Sequence, residues 1–436
     1  MAPGTPPDSI PRSTCLIAGG GPAGMMLGLL LARAGIRVTV LEKHADFFRD
    51  FRGDTIHSST LELMHELGLL DAFLRLPHQK ITRFTGRVGG RPVAIADFSH
   101  LPVHCRYIAI MPQWDFLDFV AREARRYPAF SLRMGIKAQA LLRDDAGRIC
   151  GVATRDPDGN KDEIHADLVV ACDGRDSALR ARMMQSANGR AANKLALDEY
   201  GAPIDVLWFR LPRRAGDAEE LLGRMDSGRA MVLINRGDYF QCAWIIAKGS
   251  LPALQDQGLE ALRTAIATLV PFLADRVDAL RGWDDVKLLT VQINRLRRWS
   301  LPGLLCIGDA AHAMSPVGGV GVNLAVQDAV AAANILWPAL RDRQDGDGDM
   351  AKLDAAAARV QDRRSLAVRI VQRFQIAAQD FIVRNILSRS PDAPSPSLPL
   401  PLWLLTNFPP LRRLPARLIG LGVRRERIET PQRISP

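Results

Sequence analysis

The sequence predicts an α/β protein in which a parallel-sheet domain is interrupted by an antiparallel-sheet α+β domain and followed by a C-terminal helical segment. Short apolar strands at 14–18 and 167–171 each lead through a glycine-bearing turn into a helical pattern, the order found in doubly wound sheets. Between about residues 200 and 248 the apolar period changes to two, which is typical of antiparallel strands with one covered face.

Residues 14–42 organise the first domain. Its glycines fall as Gly19-x-Gly21-x-x-Gly24, after an apolar strand and at the start of an apolar helix. Gly19 permits a tight turn, Gly21 lets a pyrophosphate approach bare backbone, and Gly24 lets helix and strand pack closely. Glu42 lies 18 residues beyond Gly24, near the ~20 expected for a carboxylate that accepts from a ribose hydroxyl. This stretch predicts a Rossmann-like dinucleotide site.

Two later strands end in an aspartate beside a glycine. The strand 167–171 leads into Cys172-Asp173-Gly174, and the strand 304–307 leads into Gly308-Asp309. Ligands of open α/β sheets bind at the carboxyl ends of parallel strands. Both aspartates are therefore candidates for the same site as the first glycine motif.

Composition excludes several classes. The chain of 436 residues is 47% hydrophobic and 24% charged, as in ordinary soluble proteins, and no apolar run approaches the ~20 residues of a membrane span. The first residues lack the basic start and apolar core of a secretory signal. The cysteines show no Cys-x-x-Cys spacing, so no zinc site or disulfide framework is predicted and a cytoplasmic protein is expected. The net charge of +10 is spread along the chain, and nucleic-acid binding is not predicted.

The changes of pattern predict domain boundaries. The first domain is expected at 13–185 and 287–390, with the second domain inserted at 186–286 and joined by residues 80–104. Residues 1–12 are expected to be a mobile tail, and 391–436 a separate C-terminal segment.

Together, the three motifs resemble, in order and spacing, the para-hydroxybenzoate hydroxylase class of FAD-dependent monooxygenases, over about residues 13–385. The resemblance implies an FAD-binding domain, a substrate domain at 186–286, non-covalent FAD, and NADPH or NADH as a transient reductant. It implies hydroxylation of an aromatic substrate, phenol-like or polycyclic, through a flavin C4a-hydroperoxide. Two alternatives stay open: an FAD-dependent reductase of an isoprenoid-like double bond, and a non-enzymatic FAD-binding sensor or membrane-recruited partner.

The resemblance also implies site residues. Those expected beside the reacting flavin ring, and so assigned to catalysis, are Pro316, Gly321 and Val322. Those expected to bind the cofactor are Gly19, Gly21, Pro22, Ala23, Gly24, Glu42, Lys43, Arg52, Gln113, Asp173, Gly174, Asp309, Gly321, Val322 and Asn323. Candidates for substrate contact on the inserted strands are Arg210, Tyr239, Gln241 and Trp244. No metal is expected, His312 is expected to be structural, and the protein is expected to be a monomer or homodimer.

The C-terminal segment from Leu398 to Arg427 combines apolar residues with six arginines. This composition allows two hypotheses. The segment is an interfacial element on an anionic membrane, or Trp403, Leu404 and Phe408 pack on the flavin domain. Four prolines between residues 399 and 410 prevent one continuous amphipathic helix, and this favours packing.

Overall fold

The computed structural model describes residues 13–48, 55–185, 195–217 and 222–433. Its strands, in chain order, are β1 (Ser13–Ala18), β2 (Val38–Glu42), β3 (Thr55–Ile56), β4 (Gln79–Ile81), β5 (Arg83–Val88), β6 (Arg91–Asp97), β7 (Ile108–Ile110), β8 (Phe130–Met134), β9 (Lys137–Arg143), β10 (Ile149–Arg155), β11 (Lys161–Ala171), β12 (Leu197–Glu199), β13 (Ile204–Pro212), β14 (Leu222–Asp226), β15 (Arg229–Asn235), β16 (Tyr239–Ala247), β17 (Lys287–Leu289), β18 (Asn294–Leu296), β19 (Ser300–Leu301) and β20 (Leu304–Cys306).

The helices, numbered in the same way, are α1 (Pro22–Arg33), α2 (Ser58–Glu66), α3 (Leu70–Phe73), α4 (Gln113–Ala124), α5 (Ala178–Gln185), α6 (Leu251–Asp256), α7 (Leu259–Leu269), α8 (Gly321–Asp345), α9 (Met350–Ile382), α10 (Leu400–Asn407) and α11 (Arg413–Gly420). The last turn of α9 continues as a π-helical turn, Val383–Leu387. This mixture of layers is the α/β architecture that the sequence predicts.

The first sheet has the strand order β19-β20-β11-β1-β2-β8. Its members β20, β11, β1, β2 and β8 run parallel, while β9 and β10 extend the beginning of β11 as an antiparallel meander. In register, Ala18 lies opposite Ala171, which lies opposite Cys306. The turns that follow three adjacent strands therefore leave the sheet at one edge, where α/β sheets bind their ligands.

Helix α1 crosses this sheet and is apolar around its whole circumference because it is covered by α8 and α4 as well as by the strands. Pro22 at its first position suits a helix start. Close approach to the sheet depends on Gly28, where a Cβ would lie 2.8 Å from Val40 Cγ2. The residues from Val317 through α8 have the length and mean hydropathy, 1.3, of a membrane-spanning helix, but 78% of the apolar stretch is buried in the fold. It is a core helix of the first domain.

The second sheet has seven strands in the order β17-β13-β16-β15-β14-β5-β6. Strands β5 and β6 come from residues 80–104, and β17 lies just beyond the predicted boundary at residue 286. Helix α7 covers one face, while the other face packs against the end of α9 and, through Ile234, against the core of the first domain. Both faces of the central strands are consequently buried.

The segment that follows α11 packs across the surface of the first domain. Residues 421–433, the C-terminal strap, follow α11 and return to the beginning of the chain, where Arg433 N donates to Arg33 O at 2.9 Å. Helix α10 instead lies against β6 of the second sheet. Trp403 and Phe408 remain 45% and 49% exposed, whereas Leu404 is half-buried. The expectation that all three pack on the flavin domain is therefore not met by Trp403 and Phe408.

Candidate functional site

The glycine turn between β1 and α1 combines two tight contacts with one open position. A Cβ on Gly19 would lie 2.3 Å from Cys172 O, and one on Gly24 would lie 2.0 Å from Gly19 O. A Cβ on Gly21 would meet no atom within 4 Å. Gly19 and Gly24 are therefore needed for packing, whereas Gly21 leaves bare backbone facing open space. The helix start at Pro22 has no side-chain cap. Pro22 has no N–H itself, so the backbone N–H groups that follow it, beginning with Ala23, can receive a phosphate.

Glu42 is the last residue of β2 and lies beside this turn. Its Oε2 accepts the backbone N–H of Gly20 and its Oε1 accepts that of His44, each at 3.0 Å. These two bonds fix the carboxylate at the edge of the sheet, where a carboxylate can accept from a sugar hydroxyl. Lys43, the next residue, is exposed. Arg52 lies outside the residues that the structure describes.

Asp173 follows β11 and is half-buried, with its Oδ1 atom covered by protein. Burial raises the pKa of its carboxyl group, against the opposing effect of Ser177 and nearby backbone N–H groups. Its Oδ2 accepts from Leu179 N at 3.3 Å, while its buried Oδ1 has no hydrogen-bond partner within the described residues. A Cβ on the neighbouring Gly174 would meet no atom within 4 Å. An unpartnered buried oxygen beside open space is suited to a ligand donor.

Asp309 follows β20 and is connected to the turn after β11. Arg175 Nη2 lies 3.7 Å from Asp309 Oδ2, and both side chains are partly exposed. The buried Arg180 donates from Nη1 to Ala310 O at 2.8 Å and to Asp309 O at 3.3 Å. These contacts place the two predicted aspartate turns side by side.

A glycine loop precedes α8. Pro316 leads into the turn Val317–Gly319, and a Cβ on Gly319 would lie 2.4 Å from Thr55 Oγ1. The backbone N–H groups of the first helical residues, 321–323, have no protein acceptor among the described residues. This helix start therefore presents donors and a positive dipole end to a ligand.

The side chain of Asn323 is used within the protein. Its Oδ1 accepts from His57 N and from Thr60 Oγ1, both at 2.8 Å, and its Nδ2 donates to Thr55 O at 3.0 Å. Asn323 thus holds β3 and α2 against the glycine loop, and only its backbone N–H faces the site with those of Gly321 and Val322. Gln113, half-buried, is the first residue of α4.

The register of the second sheet separates the substrate candidates. Arg210 lies opposite Gln241, and Tyr239 is two residues before Gln241 on the same face. The Arg210 guanidinium lies 4.9 Å from the Tyr239 ring centroid, and Arg236 Nε donates to Gln241 Oε1 at 3.1 Å.

Trp244 points to the opposite face. It is 5% exposed and packs in the cluster beneath α7 with Leu262 and Ile266. The prediction that Trp244 contacts substrate is therefore corrected. Trp208, opposite Ala243, lies on the face that meets the first domain.

Sequence reasoning missed a buried series of hydrogen bonds and ion pairs behind Asp309, which we call the relay. Asp328 on α8 accepts from His312 Nε2 at 2.6 Å and from Arg364 Nε at 2.9 Å, and Arg364 Nη1 donates to Glu426 Oε1 at 3.2 Å. Burial alone would raise the pKa of Asp328, but His312 and Arg364 hold it below its ordinary value. His312 is therefore structural, as expected.

The arrangement fits a dinucleotide such as FAD. Open space over Gly21 and two uncapped helix starts suit phosphates and an anionic ring, and the carboxylates of Glu42 and Asp309 suit sugar hydroxyls. Asp173 Oδ1 offers one further acceptor.

Comparison with known proteins agrees with this geometry. The FAD binding domain family model matches residues 12–373. The 6-methylpretetramide 4-monooxygenase of Streptomyces rimosus is 32% identical over 376 residues, covering 84% of each chain.

Two solved structures share the fold. OxyS anhydrotetracycline hydroxylase from Streptomyces rimosus has a TM-score of 0.67 at 24% identity, covering 95% of this chain and 77% of that chain. P. aeruginosa PqsL, solved in complex with 2-aminobenzoylacetate, has a TM-score of 0.69 at 21% identity, covering 86% and 97%. The family match and the 32% relative identify the class. The chain belongs to the FAD binding domain family, within the p-hydroxybenzoate hydroxylase-like class of FAD-dependent aromatic monooxygenases.

Proposed function

We propose that this enzyme hydroxylates a polycyclic, phenol-like aromatic substrate with O2, using NADPH or NADH to reduce bound FAD. The 6-methylpretetramide relative, similar along most of both chains, supports a substrate of several fused rings. The alternative reduction of an isoprenoid-like double bond has no such support.

The observation that carries the proposal is the apolar face of the second sheet where it lies beside the glycine loop, next to the end of α9. Trp208, Val232, Ala243 and Ile245 belong to the same hydrophobic cluster as Val317 of that loop. Side chains on one face of adjacent strands form a nearly flat wall. A flat wall next to the flavin ring site suits a flat, multi-ring substrate better than a single small ring.

The end of this wall is polar and positively charged. Arg210, Tyr239, Gln241 and Arg236 lie together there. Arg236 also acts on Asp115 of α4, where its charge opposes the burial and the Asp118 charge that raise the pKa of that carboxyl group. Positive charge near a phenol favours the phenolate, the more electron-rich form of the ring. We assign these residues to holding the oxygen substituents of the substrate.

FAD, held at the turns that follow β1, β11 and β20, would supply hydride acceptance from NAD(P)H and activation of O2. The N–H groups at the start of α8 would stabilise negative charge on the reduced flavin. The apolar wall would exclude water from the reacting site and so limit the loss of reducing equivalents as peroxide. Arg175, beside Asp309 at the surface, is placed to attract the phosphates of the nicotinamide cofactor.

The test is oxidation of NADPH and NADH by the FAD-loaded enzyme in the presence of polycyclic phenols, single-ring phenols and isoprenoid alkenes. We expect polycyclic phenols to stimulate oxidation most strongly and to yield products containing one atom of isotopically labelled O2. A product that gains two hydrogens and no labelled oxygen would contradict the proposal. Preference for single-ring phenols would contradict the assignment of substrate size.

A further inference from the structure

An unusual share of the exposed apolar surface lies in one short segment of the chain. Among the described residues, ten large apolar side chains are exposed, and six of them fall between residues 400 and 423. Leu400, Trp403, Phe408, Leu411, Leu414 and Val423 are 66%, 45%, 49%, 37%, 70% and 37% exposed. Single exposed apolar residues are normal on soluble proteins, but a concentration of this kind marks an interaction surface.

The charge of the same segment is of one sign. The sequence contains no Asp or Glu between Asp392 and Glu426, while arginine occurs at 412, 413, 417, 424 and 425. Arg413 and Arg417 are exposed on α11, one turn apart. Arg412 donates from Nε to Leu405 O at 2.8 Å and so connects α10 to the turn before α11. Arg425 is paired with Glu62 and Glu66. The segment therefore presents apolar tips beside the positive charge of Arg412, Arg413 and Arg417.

The side of the segment opposite these exposed residues packs against the rest of the protein. Ala94 N of β6 donates to Thr406 Oγ1 at 3.4 Å, so α10 covers the edge of the second sheet. In α11, Ala416 and Ile419 are buried, and a Cβ on Gly420 would lie 2.7 Å from Leu101 Cδ1. One side of both helices is thus used for packing. On the other side Trp403 and Phe408 contact each other, with ring centroids 6.0 Å apart, and the apolar tips stay exposed to solvent.

We propose that residues 400–417, the apolar–basic patch, bind the surface of an anionic membrane. Tryptophan, phenylalanine and leucine tips insert at the headgroup boundary, and arginines beside them are attracted to anionic headgroups. A second copy of the chain is a poorer occupant, because a two-fold interface would bring the same arginines together without an acid to oppose them. The prolines that break this segment do not prevent binding, since α10 and α11 present their exposed sides separately.

The experiment is flotation of the FAD-loaded enzyme with phosphatidylcholine vesicles that contain, or lack, phosphatidylglycerol. We expect binding to the anionic vesicles only, and release at high salt because surface charge is screened. Trp403→Ser/Phe408→Ser/Leu414→Ser should abolish flotation. Arg413→Gln/Arg417→Gln should weaken it about thirtyfold, since each arginine near an anionic surface contributes about fivefold.

Two matched variants control for exposure and charge elsewhere. Leu288→Ser/Leu366→Ser removes two other exposed apolar residues, and Arg155→Gln/Arg359→Gln removes two other exposed arginines. Both should float like the unchanged enzyme, and all variants should keep their FAD absorbance. Failure of the unchanged enzyme to float would overturn the proposal, as would normal flotation of the triple variant. A dimer in solution that the triple variant converts to monomer, without vesicle binding, would instead assign the patch to self-association.

Discussion

His312 Nε2 lies 2.6 Å from Asp328 Oδ2, and both side chains are almost completely buried. The same Asp328 oxygen also accepts the backbone N–H of Gly308 at 3.2 Å. Gly308 and His312 stand on either side of Asp309, so one carboxylate on α8 holds both ends of the turn that carries it. Arg364 connects this carboxylate to Glu426 in the C-terminal strap. The position of a candidate cofactor residue thus depends on a residue more than a hundred positions later.

This relay predicts the effect of Glu426→Gln. The Arg364 side chain is 1% exposed, and without the Glu426 charge its buried positive charge is balanced less well. Breaking a buried ion pair costs about 3 kcal/mol or more. We expect a lower free energy of unfolding and faster FAD release, measured by urea denaturation and by the recovery of flavin fluorescence. Glu429→Gln, exposed in the same strap, is the control and should change neither. Unaltered FAD release in Glu426→Gln would show that the C-terminal strap does not influence cofactor binding.

Two glycines of the first motif should respond differently to alanine. Gly21 has φ −75° and ψ −176°, an extended conformation that alanine adopts, and its Cβ would enter open space. Gly21→Ala should therefore leave the melting temperature of the FAD-free protein unchanged and weaken FAD binding about tenfold or more, about 1.4 kcal/mol. Gly24→Ala would press a Cβ against Gly19 O and should lower the yield of folded protein. Equal FAD affinity in Gly21→Ala and the unchanged protein would place the pyrophosphate elsewhere.

Two tryptophans on adjacent strands test which face binds substrate. Trp208→Phe should raise KM and release more hydrogen peroxide per NAD(P)H oxidised, with kcat/KM lower by about tenfold, because it shortens the wall beside the glycine loop. Trp244→Phe should cost about 2 kcal/mol of stability through a cavity under α7 and leave KM unchanged. The opposite pattern would mean that substrate binds on the α7 face.

His57 predicts a dependence of stability on pH. Burial lowers the pKa of its imidazole to about 4 in the folded protein, against a value of 6.5 when exposed, and its Nδ1 lies 2.7 Å from Ile419 O. The unfolded chain binds the proton more readily than the folded protein does, so protonation of His57 favours unfolding. His57 does not lower the free energy of unfolding above pH 6.5. As pH falls towards 4, it lowers the free energy of unfolding by up to about 3 kcal/mol. In His57→Asn, an amide can replace the Nδ1–H donor without titrating.

The measurement is the free energy of unfolding of both proteins at pH 7.5 and pH 5.0. We expect the loss between the two values to be smaller in His57→Asn than in the unchanged protein. An equal loss in the two proteins would show that other groups carry the dependence.

Much of the first domain was predictable because it depends on local signals. The glycines at 19, 21 and 24 and the aspartates after β11 and β20 each stand at a strand end, and parallel neighbours bring such ends together. The second sheet was less predictable because β16 is buried on both faces. Alternation along it does not tell which face meets the flavin domain, so Trp244 and Trp208 could not be assigned. The relay was missed because Asp328, Arg364 and Glu426 are ordinary helix and tail residues until the fold brings them together.

The C-terminal strap has a consequence for how the enzyme is made. Its last described residue bonds to Arg33 at the end of α1, and Glu426 completes the relay behind Asp309. Domains generally fold from the N-terminus during synthesis, but here the first and last parts of the chain must meet. The flavin pocket is therefore finished only when residues 421–433 have left the ribosome and packed on the first domain. A chain that stops before Glu426 would display the glycine motif and yet hold its cofactor poorly, so we expect FAD loading to follow the synthesis of residue 426.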